Sequence, residues 1–267
     1  MLGVNMTTIH HIAMRIRTEQ QREEFRAQGF DLKGSFVSFE IGDDDPRWPA
    51  ISGLIKRHKV IDTAITRHSD AELSAARVAG LWVSSARGYP EPSNNFGYLA
   101  KTFDLTGYCN LCGVGGKQTH AFRLKVEPKA GRTIFKVNWV HDEFFVDVEV
   151  WRNIFKTCGV DCRPAVLHGK GTELPNVVQL IIDQTVDVNV DELKMFKDCR
   201  QCGRRKYSPK YSRGPFPQPA RAAAAMFRSS QYFGDGGEAF NLVFASGLLL
   251  QNLKAASISG LTLMPIT

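Results

Sequence analysis

The amino-acid sequence predicts an α+β protein: a small N-terminal sheet with alternating strands and helices, then a strand-rich, zinc-ribbon-like region that closes with a helix and a strand. The first supporting observation is that apolar residues alternate between strand and helix spacing over roughly the first ninety positions. The second is a run of Gly, Pro, Ser and Asn over residues 86–98 that is typical of a linker. The third is a pair of CxxCG motifs beyond the linker. We therefore expect an N-terminal α/β domain over residues 1–88 and a zinc-binding α+β domain over residues 99–267.

The N-terminal elements are predicted from periodicity and from helix start and stop signals. Gly29 is a natural stop for a charged helix, and Asp45 can cap a helix that has Pro46 at its first position. Ser69 and Glu72 have the spacing of a capping box. We expect strands over residues 9–16, 35–41, 60–66 and 81–85, and helices over residues 18–28, 45–58 and 69–78.

Beyond the linker the pattern is richer in strands. Residues 142–156 have the composition of a strand but helical spacing in their second half, where we favour a helix. The Pro-rich, basic stretch 208–219 is predicted to be a loop. We expect a hairpin of residues 119–127 and 134–140 with a turn at 128–132, a buried strand over 177–183, and a tail made of a strand (223–229), a turn (233–237), a long helix (238–256) and a strand (260–266).

Composition and charge exclude some classes of protein. The chain has 267 residues, 43% of them hydrophobic, which is enough for a true core and argues against global disorder. No apolar run approaches the roughly 20 residues that span a bilayer, and no secretory signal is visible, so we expect a cytoplasmic protein without membrane contact. The net charge of +7 favours acidic partners such as nucleic acid, but it is also common in proteins that bind nothing anionic.

The two CxxCG motifs are the strongest chemical signal. A two-residue gap lets both thiolates of a tight turn face one cation, and the following glycine permits the positive φ that turns backbone N–H groups towards the sulfurs. Four thiolates suit a tetrahedral ion, with zinc as the first choice and iron as the second, and they leave no open position for catalysis. Two thioredoxin-like dithiols and a disulfide framework are the alternatives. The predicted ligands of a structural zinc ion are Cys109, Cys112, Cys199 and Cys202.

A basic strip surrounds the second motif. Such a strip can contact phosphates while a tyrosine stacks on a base, which is a nucleic-acid hypothesis. The alternative, which we favour, is that these cations offset the charge of about −2 left by four thiolates and one divalent ion, or form a solvated face. The candidate nucleic-acid contacts are Arg200, Arg204, Arg205, Lys206, Tyr207 and Lys210, in a strip that extends to Arg213.

A second metal site is a weaker hypothesis. His141 and Glu143, followed by Cys158 and Cys162, resemble the H-x-E and P-C-x-x-C elements of zinc deaminases. The sequence departs from that pattern because Thr157 replaces the proline and the cysteine gap is one residue too long. We favour Cys158 and Cys162 as buried or half-buried small residues near a helix end.

The Gly-rich segment 233–237 has two interpretations. Its N–H groups can face an anion, but a lone Gly-rich turn is weak support and Asp235 would repel a phosphate, so we favour entry into the predicted helix.

Through Cys109–Gly113, Cys199–Gly203 and the predicted helix and strand after Phe233, the chain resembles the double-CxxCG proteins of bacteria. The likeness covers roughly the last two thirds of the chain. Some members of that group look like immunity partners of secreted toxins, so the resemblance implies a non-enzymatic binding protein. The basic charge departs from the acidic balance expected of a partner for a basic nuclease toxin.

Three functions follow, in order of preference. The first is a zinc-stabilised, cytoplasmic interaction protein of immunity type, with a protein partner whose identity the sequence does not reveal. The second is a nucleic-acid-binding protein that uses the strip Arg200–Arg213. The third is a metal-dependent hydrolase or deaminase that uses His141 and Glu143.

Overall fold

A computed structural model describes residues 7–191, 193, 196–208 and 216–266. It confirms the α+β class. The described residues form two compact units, the first within residues 7–74 and the second within residues 75–208 and 216–266. The predicted linker at residues 86–98 therefore lies inside the second unit, because the strand before it, Val78–Val83, pairs with C-terminal strands of that unit.

The first unit is an antiparallel sheet with two helices, Glu19–Arg26 and Trp48–His58, packed on one face. The strand order is β2-β1-β3, and the core is formed by alternate strand residues such as Ile12 and Met14 against helix residues such as Phe25 and Ile51. This confirms the predicted small sheet. Its elements are β1 (Thr7–Arg15), α1 (Glu19–Arg26), β2 (Phe36–Gly42), α2 (Trp48–His58), β3 (Ile61–Arg67) and α3 (Asp70–Ala75).

Two of the three predicted helix starts are confirmed. The Thr18 hydroxyl accepts from the Gln21 N–H at 3.1 Å, and Ser69 and Glu72 bond each other's backbone N–H groups as a capping box. The predicted start at Asp45 is wrong, since α2 begins at Trp48. The Asp45 carboxylate instead accepts from the backbone and side chain of Arg47.

A seven-stranded sheet dominates the second unit. Its strand order is β12-β13-β14-β15-β4-β16. The seventh strand, β11, pairs with the same edge of β14 as β13 does. The pairs of β14 with β11 and β13 are parallel and the others are antiparallel. The strands are β4 (Val78–Val83), β11 (Thr185–Val186), β12 (Phe196–Asp198), β13 (Arg205–Tyr207), β14 (Met226–Phe233), β15 (Phe240–Ser246) and β16 (Leu261–Ile266).

A four-stranded sheet of order β7-β9-β10-β8 completes the core of this unit. Residues 177–180 of the predicted buried strand 177–183 belong to β10 (Glu173–Leu180). The helix favoured for the second half of residues 142–156 is present as α5 (Val148–Val150), which continues as a π-helix over Trp151–Phe155. The remaining elements are α4 (Tyr98–Thr102), β5 (Phe103–Asp104), β6 (Lys117–Gln118), β7 (Arg123–Leu124), β8 (Phe145–Asp147), α5 (Val148–Val150), β9 (Cys162–Leu167), β10 (Glu173–Leu180) and α6 (Gly247–Ala255).

Two predictions for this unit are wrong. The hairpin of residues 119–127 and 134–140 does not form, because β7 pairs with β9 and Phe135 bridges to Phe145. The long helix at 238–256 is a strand in its first half, since β15 pairs with β14 and β4, and only α6 is helical. In both places long-range pairing overrides the local pattern.

Residues from both sheets pack into one apolar cluster around the helical segment that follows β8. In a second cluster the Phe135 ring stacks on Phe145, and the Phe122 ring meets Phe145 edge to face. Among the described residues, no helix has the length and apolar character needed to cross a membrane.

Candidate metal centre

Each CxxCG motif lies in the loop of a short antiparallel strand pair. Cys109 and Cys112 lie between β5 and β6, while Cys199 and Cys202 lie between β12 and β13. The strand pair fixes the two ends of each loop, so both thiols of a motif are held on one side of a tight turn.

The two loops have the same hydrogen bonds. The Cys109 N–H donates to the Val114 carbonyl and the Gly113 N–H donates to the Cys109 carbonyl, at 2.9 and 2.8 Å. In the second loop Cys199 donates to Arg204 and Gly203 donates to Cys199, again at 2.9 and 2.8 Å. Both glycines have positive φ, 78° and 71°, as the sequence predicted.

The four sulfurs converge. The Cys109 and Cys199 Sγ atoms are 3.7 Å apart, those of Cys112 and Cys202 are 3.6 Å apart, and all four lie within 4.8 Å of one another. These separations are too long for disulfides, which need about 2.05 Å. A tetrahedral zinc site with Zn–S bonds of about 2.3 Å separates its sulfurs by about 3.8 Å. The donor set and its spacing therefore fit one metal ion.

Burial and backbone donors act on these thiols in opposite directions. The N–H groups of Cys202 and Gln201 bond the Cys199 sulfur and lower the pKa of its thiol to about 6. Burial raises the pKa of Cys112 to about 12. Because the thiolate is the ligand form, binding of a cation here requires release of the Cys112 proton.

Two cations of the basic strip bond to main-chain carbonyls around the cysteine cluster. Arg204 donates from Nη1 to the Val114 carbonyl at 3.0 Å and from Nη2 to the Gly107 carbonyl at 2.6 Å, so it joins the second loop to the first. Lys206 is buried, and its Nζ donates to the carbonyls of Gly236 and Glu238 at 2.7 and 2.6 Å. Arg204 and Lys206 therefore each donate two hydrogen bonds to main-chain carbonyls.

Arg205, Tyr207 and Arg200, the other described members of the strip, have different surroundings. Arg205 pairs with the Asp198 carboxylate at 2.6 Å and covers the Phe196 ring, while the Tyr207 ring contacts Phe233. Arg200 is exposed and lines a cavity of about 280 Å³ beside the Cys112 and Cys199 side chains. Lys210 and Arg213 lie outside the described residues.

The Gly-rich segment 233–237 is the turn between β14 and β15. Helix entry, the predicted role, is wrong because a strand follows. The backbone of this turn packs against the loop that holds Cys109 and Cys112. A Cβ added to Gly113 would meet the Gly237 carbonyl oxygen at 2.2 Å. Neither this packing nor the carbonyls of Gly107 and Val114 could be found from the sequence, since main-chain acceptors leave no residue signature.

The two motif glycines form a matched pair for substitution. The Cβ of Gly203→Ala would meet no atom within 4 Å. This variant should therefore lose only about 1–2 kcal/mol of unfolding free energy, the cost of an alanine in the left-handed conformation. Gly113→Ala adds the clash with Gly237 and should cost about 1–3 kcal/mol more. Urea unfolding of both variants measures the difference, and equal losses of stability would contradict the packing described for Gly113.

The residues of the deaminase hypothesis have other partners. His141 Nδ1 lies 3.0 Å from Lys136 Nζ, and Glu143 is buried and paired with Arg228 at 2.9 Å. Cys158 and Cys162 are half-buried, and Cys158 precedes the helix end at Gly159, as favoured from the sequence. Within the described ranges, the four CxxCG cysteines form the only cluster of at least three potential ligands.

Comparisons with family models, curated proteins and solved structures find no match to the chain.

Proposed function

We propose that the chain binds one structural zinc ion through Cys109, Cys112, Cys199 and Cys202, and that it acts by binding another protein. The observation that carries the metal proposal is the convergence of four sulfurs to within 4.8 Å, from loops separated by residues 113–198. Zinc is preferred over iron because it is the usual ion of four-cysteine structural sites.

A structural role is supported by the completeness of the donor set. Four thiolates fill a tetrahedral site, which leaves no position for water or substrate. The placement of each pair in the loop of a short antiparallel hairpin is also how a zinc ribbon is built. A bound ion would join the β5–β6 pair to the edge of the seven-stranded sheet, where β12 and β13 lie.

An immunity-type role is supported by the resemblance to double-CxxCG proteins. Under this proposal the partner is a secreted toxin, and the metal keeps the binding surface folded without taking part in chemistry. The net charge of +7 suits a toxin with an acidic surface better than a basic nuclease.

Native mass spectrometry of the chain purified from its host tests both parts. We expect one zinc per chain. Cys158→Ser should retain it and Cys112→Ser should lose it, because Cys112 belongs to the cluster and Cys158 does not. We also expect a second species that carries one additional protein. Absence of metal, or equal metal loss in the two variants, would overturn the zinc proposal. A metal-loaded chain without any partner would overturn only the interaction proposal.

A further inference from the structure

An exposed group of aromatic rings lies in the second unit and includes none of the four clustered cysteines. Tyr89, Phe96 and Trp139 have 47%, 51% and 36% of their surface exposed. The Trp139 ring centre lies 4.6 Å from that of Tyr89 and 4.7 Å from that of Phe96, and the buried Tyr98 lies 6.1 Å away on a nearly parallel plane. We name Tyr89, Phe96 and Trp139 the aromatic platform. Two exposed rings that both contact a third, partly exposed ring form a contiguous apolar surface, and such surfaces mark interaction sites.

The chain holds this platform in an unfavourable backbone conformation. Phe96 and Trp139 have φ values of 54° and 68°, a left-handed region that bulky side chains rarely adopt. Asn138 fixes Trp139 beside Tyr89, because its backbone N–H and its side-chain amide both donate to the Gly88 carbonyl, at 2.9 and 2.7 Å. Strain of this kind persists where surrounding contacts impose it, and it concentrates at binding sites.

A cationic cavity adjoins the platform. Tyr89 lines a cavity of about 290 Å³ together with Lys125, Lys129 and Arg87, whose guanidinium also donates to the Lys129 carbonyl and lies over the Phe135 ring. No carboxylate is among its described lining residues. Glu127 and Glu91, the nearest acids in sequence, hydrogen-bond to other groups: Glu127 accepts from the Asn176 N–H and Glu91 accepts from the Ser93 N–H, each at 2.8 Å.

We propose that the aromatic platform and its cationic cavity bind single-stranded nucleic acid. Bases have two flat faces that stack on exposed rings, and the linking phosphates require cations beside those rings. The carboxylates of an acidic peptide could pair with Arg87, Lys125 and Lys129. Such a peptide has no flat groups to stack on the rings of the platform. A duplex keeps its bases stacked inside, so its charge alone would meet the cavity. This site differs from the strip at Arg200–Arg213 and does not depend on the proposed metal or protein partner.

Fluorescence anisotropy of the full, metal-loaded chain with labelled single-stranded RNA or DNA of about ten nucleotides tests the proposal. Tyr89→Ala and Trp139→Gly should each weaken binding by about tenfold, the effect of losing one stacked base. The glycine adopts the φ of position 139 without steric cost, so Trp139→Gly keeps the backbone while it removes the ring. Phe36→Ala, which removes a ring 69% exposed in the first unit, should leave the Kd unchanged.

The charge dependence provides a second readout. Replacing Lys125 and Lys129 by Gln should make the slope of log K against log salt shallower by about 0.7 for each phosphate that is no longer neutralised. The matched pair Lys33→Gln and Lys56→Gln, in the first unit, should not change that slope. Equal affinity for a duplex, stronger binding of poly-glutamate, or no binding at low salt would each overturn the proposal.

Discussion

Removal of the metal should unfold the second unit while the first retains its structure. Both CxxCG loops lie in the second unit, and the first contributes none of the four sulfurs. A structural zinc site contributes on the order of 10 kcal/mol to folding at neutral pH. The whole free energy of unfolding of a domain is of the same size, about 5–15 kcal/mol. Without the ion, four thiols or thiolates would face one another with no shared partner.

Circular dichroism during urea unfolding, with and without a zinc chelator, measures this effect. We expect the transition of the second unit to disappear or to move to much lower urea, and to return when zinc is added back. Cys158→Ser should behave like the unsubstituted chain, because its thiol is outside the cluster. An unchanged transition after metal analysis has shown complete removal would contradict the structural role.

The cysteine site could be predicted because its signal is local. The gap between Cys109 and Cys112, repeated at Cys199 and Cys202, encodes the turn, the ligand type and the number of donors at once. The start of the third helix was predictable for a similar reason, since the capping box of Ser69 and Glu72 lies within one turn of the helix it starts.

The rest depends on contacts between distant parts of the chain. Strand β4 lies between β15 and β16, so the sheet that contains it can be known only when the last forty or so residues are placed. Residues 240–246 carry many large apolar side chains, a run that periodicity alone does not distinguish from a buried helix. Arg204 was recognisable as basic, but its carbonyl acceptors at Gly107 and Val114 were not. The aromatic platform likewise joins residues 89, 96 and 139, which no short motif connects.

Arg228→Ala should be among the most destabilising single substitutions away from the metal loops. Arg228 is only 12% exposed at its side chain and binds Asp142 Oδ2 at 3.1 Å and Glu143 Oε1 at 2.9 Å, while its Nε donates to the Ile182 carbonyl. Removing one partner of a buried ion pair typically costs about 3–5 kcal/mol, because the remaining charge is buried without compensation. Urea unfolding should show this loss of stability, whereas Arg205→Ala, which breaks an exposed pair with Asp198, should hardly shift the midpoint.

The stability of Arg228→Ala should be measured as a function of pH. This measurement distinguishes a loss of charge compensation from a loss of packing. Burial raises the pKa of Glu143, while Arg228 acts to lower it, so Arg228→Ala should raise the folded-state pKa further. A carboxyl whose folded-state pKa exceeds its unfolded value binds more protons when folded, so stability falls as pH rises. The deficit of Arg228→Ala should therefore shrink as pH is lowered towards the raised pKa of Glu143, and Glu143→Gln in the same chain should remove most of that pH dependence. A deficit that is the same at every pH would assign the destabilisation to the cavity left by the side chain instead.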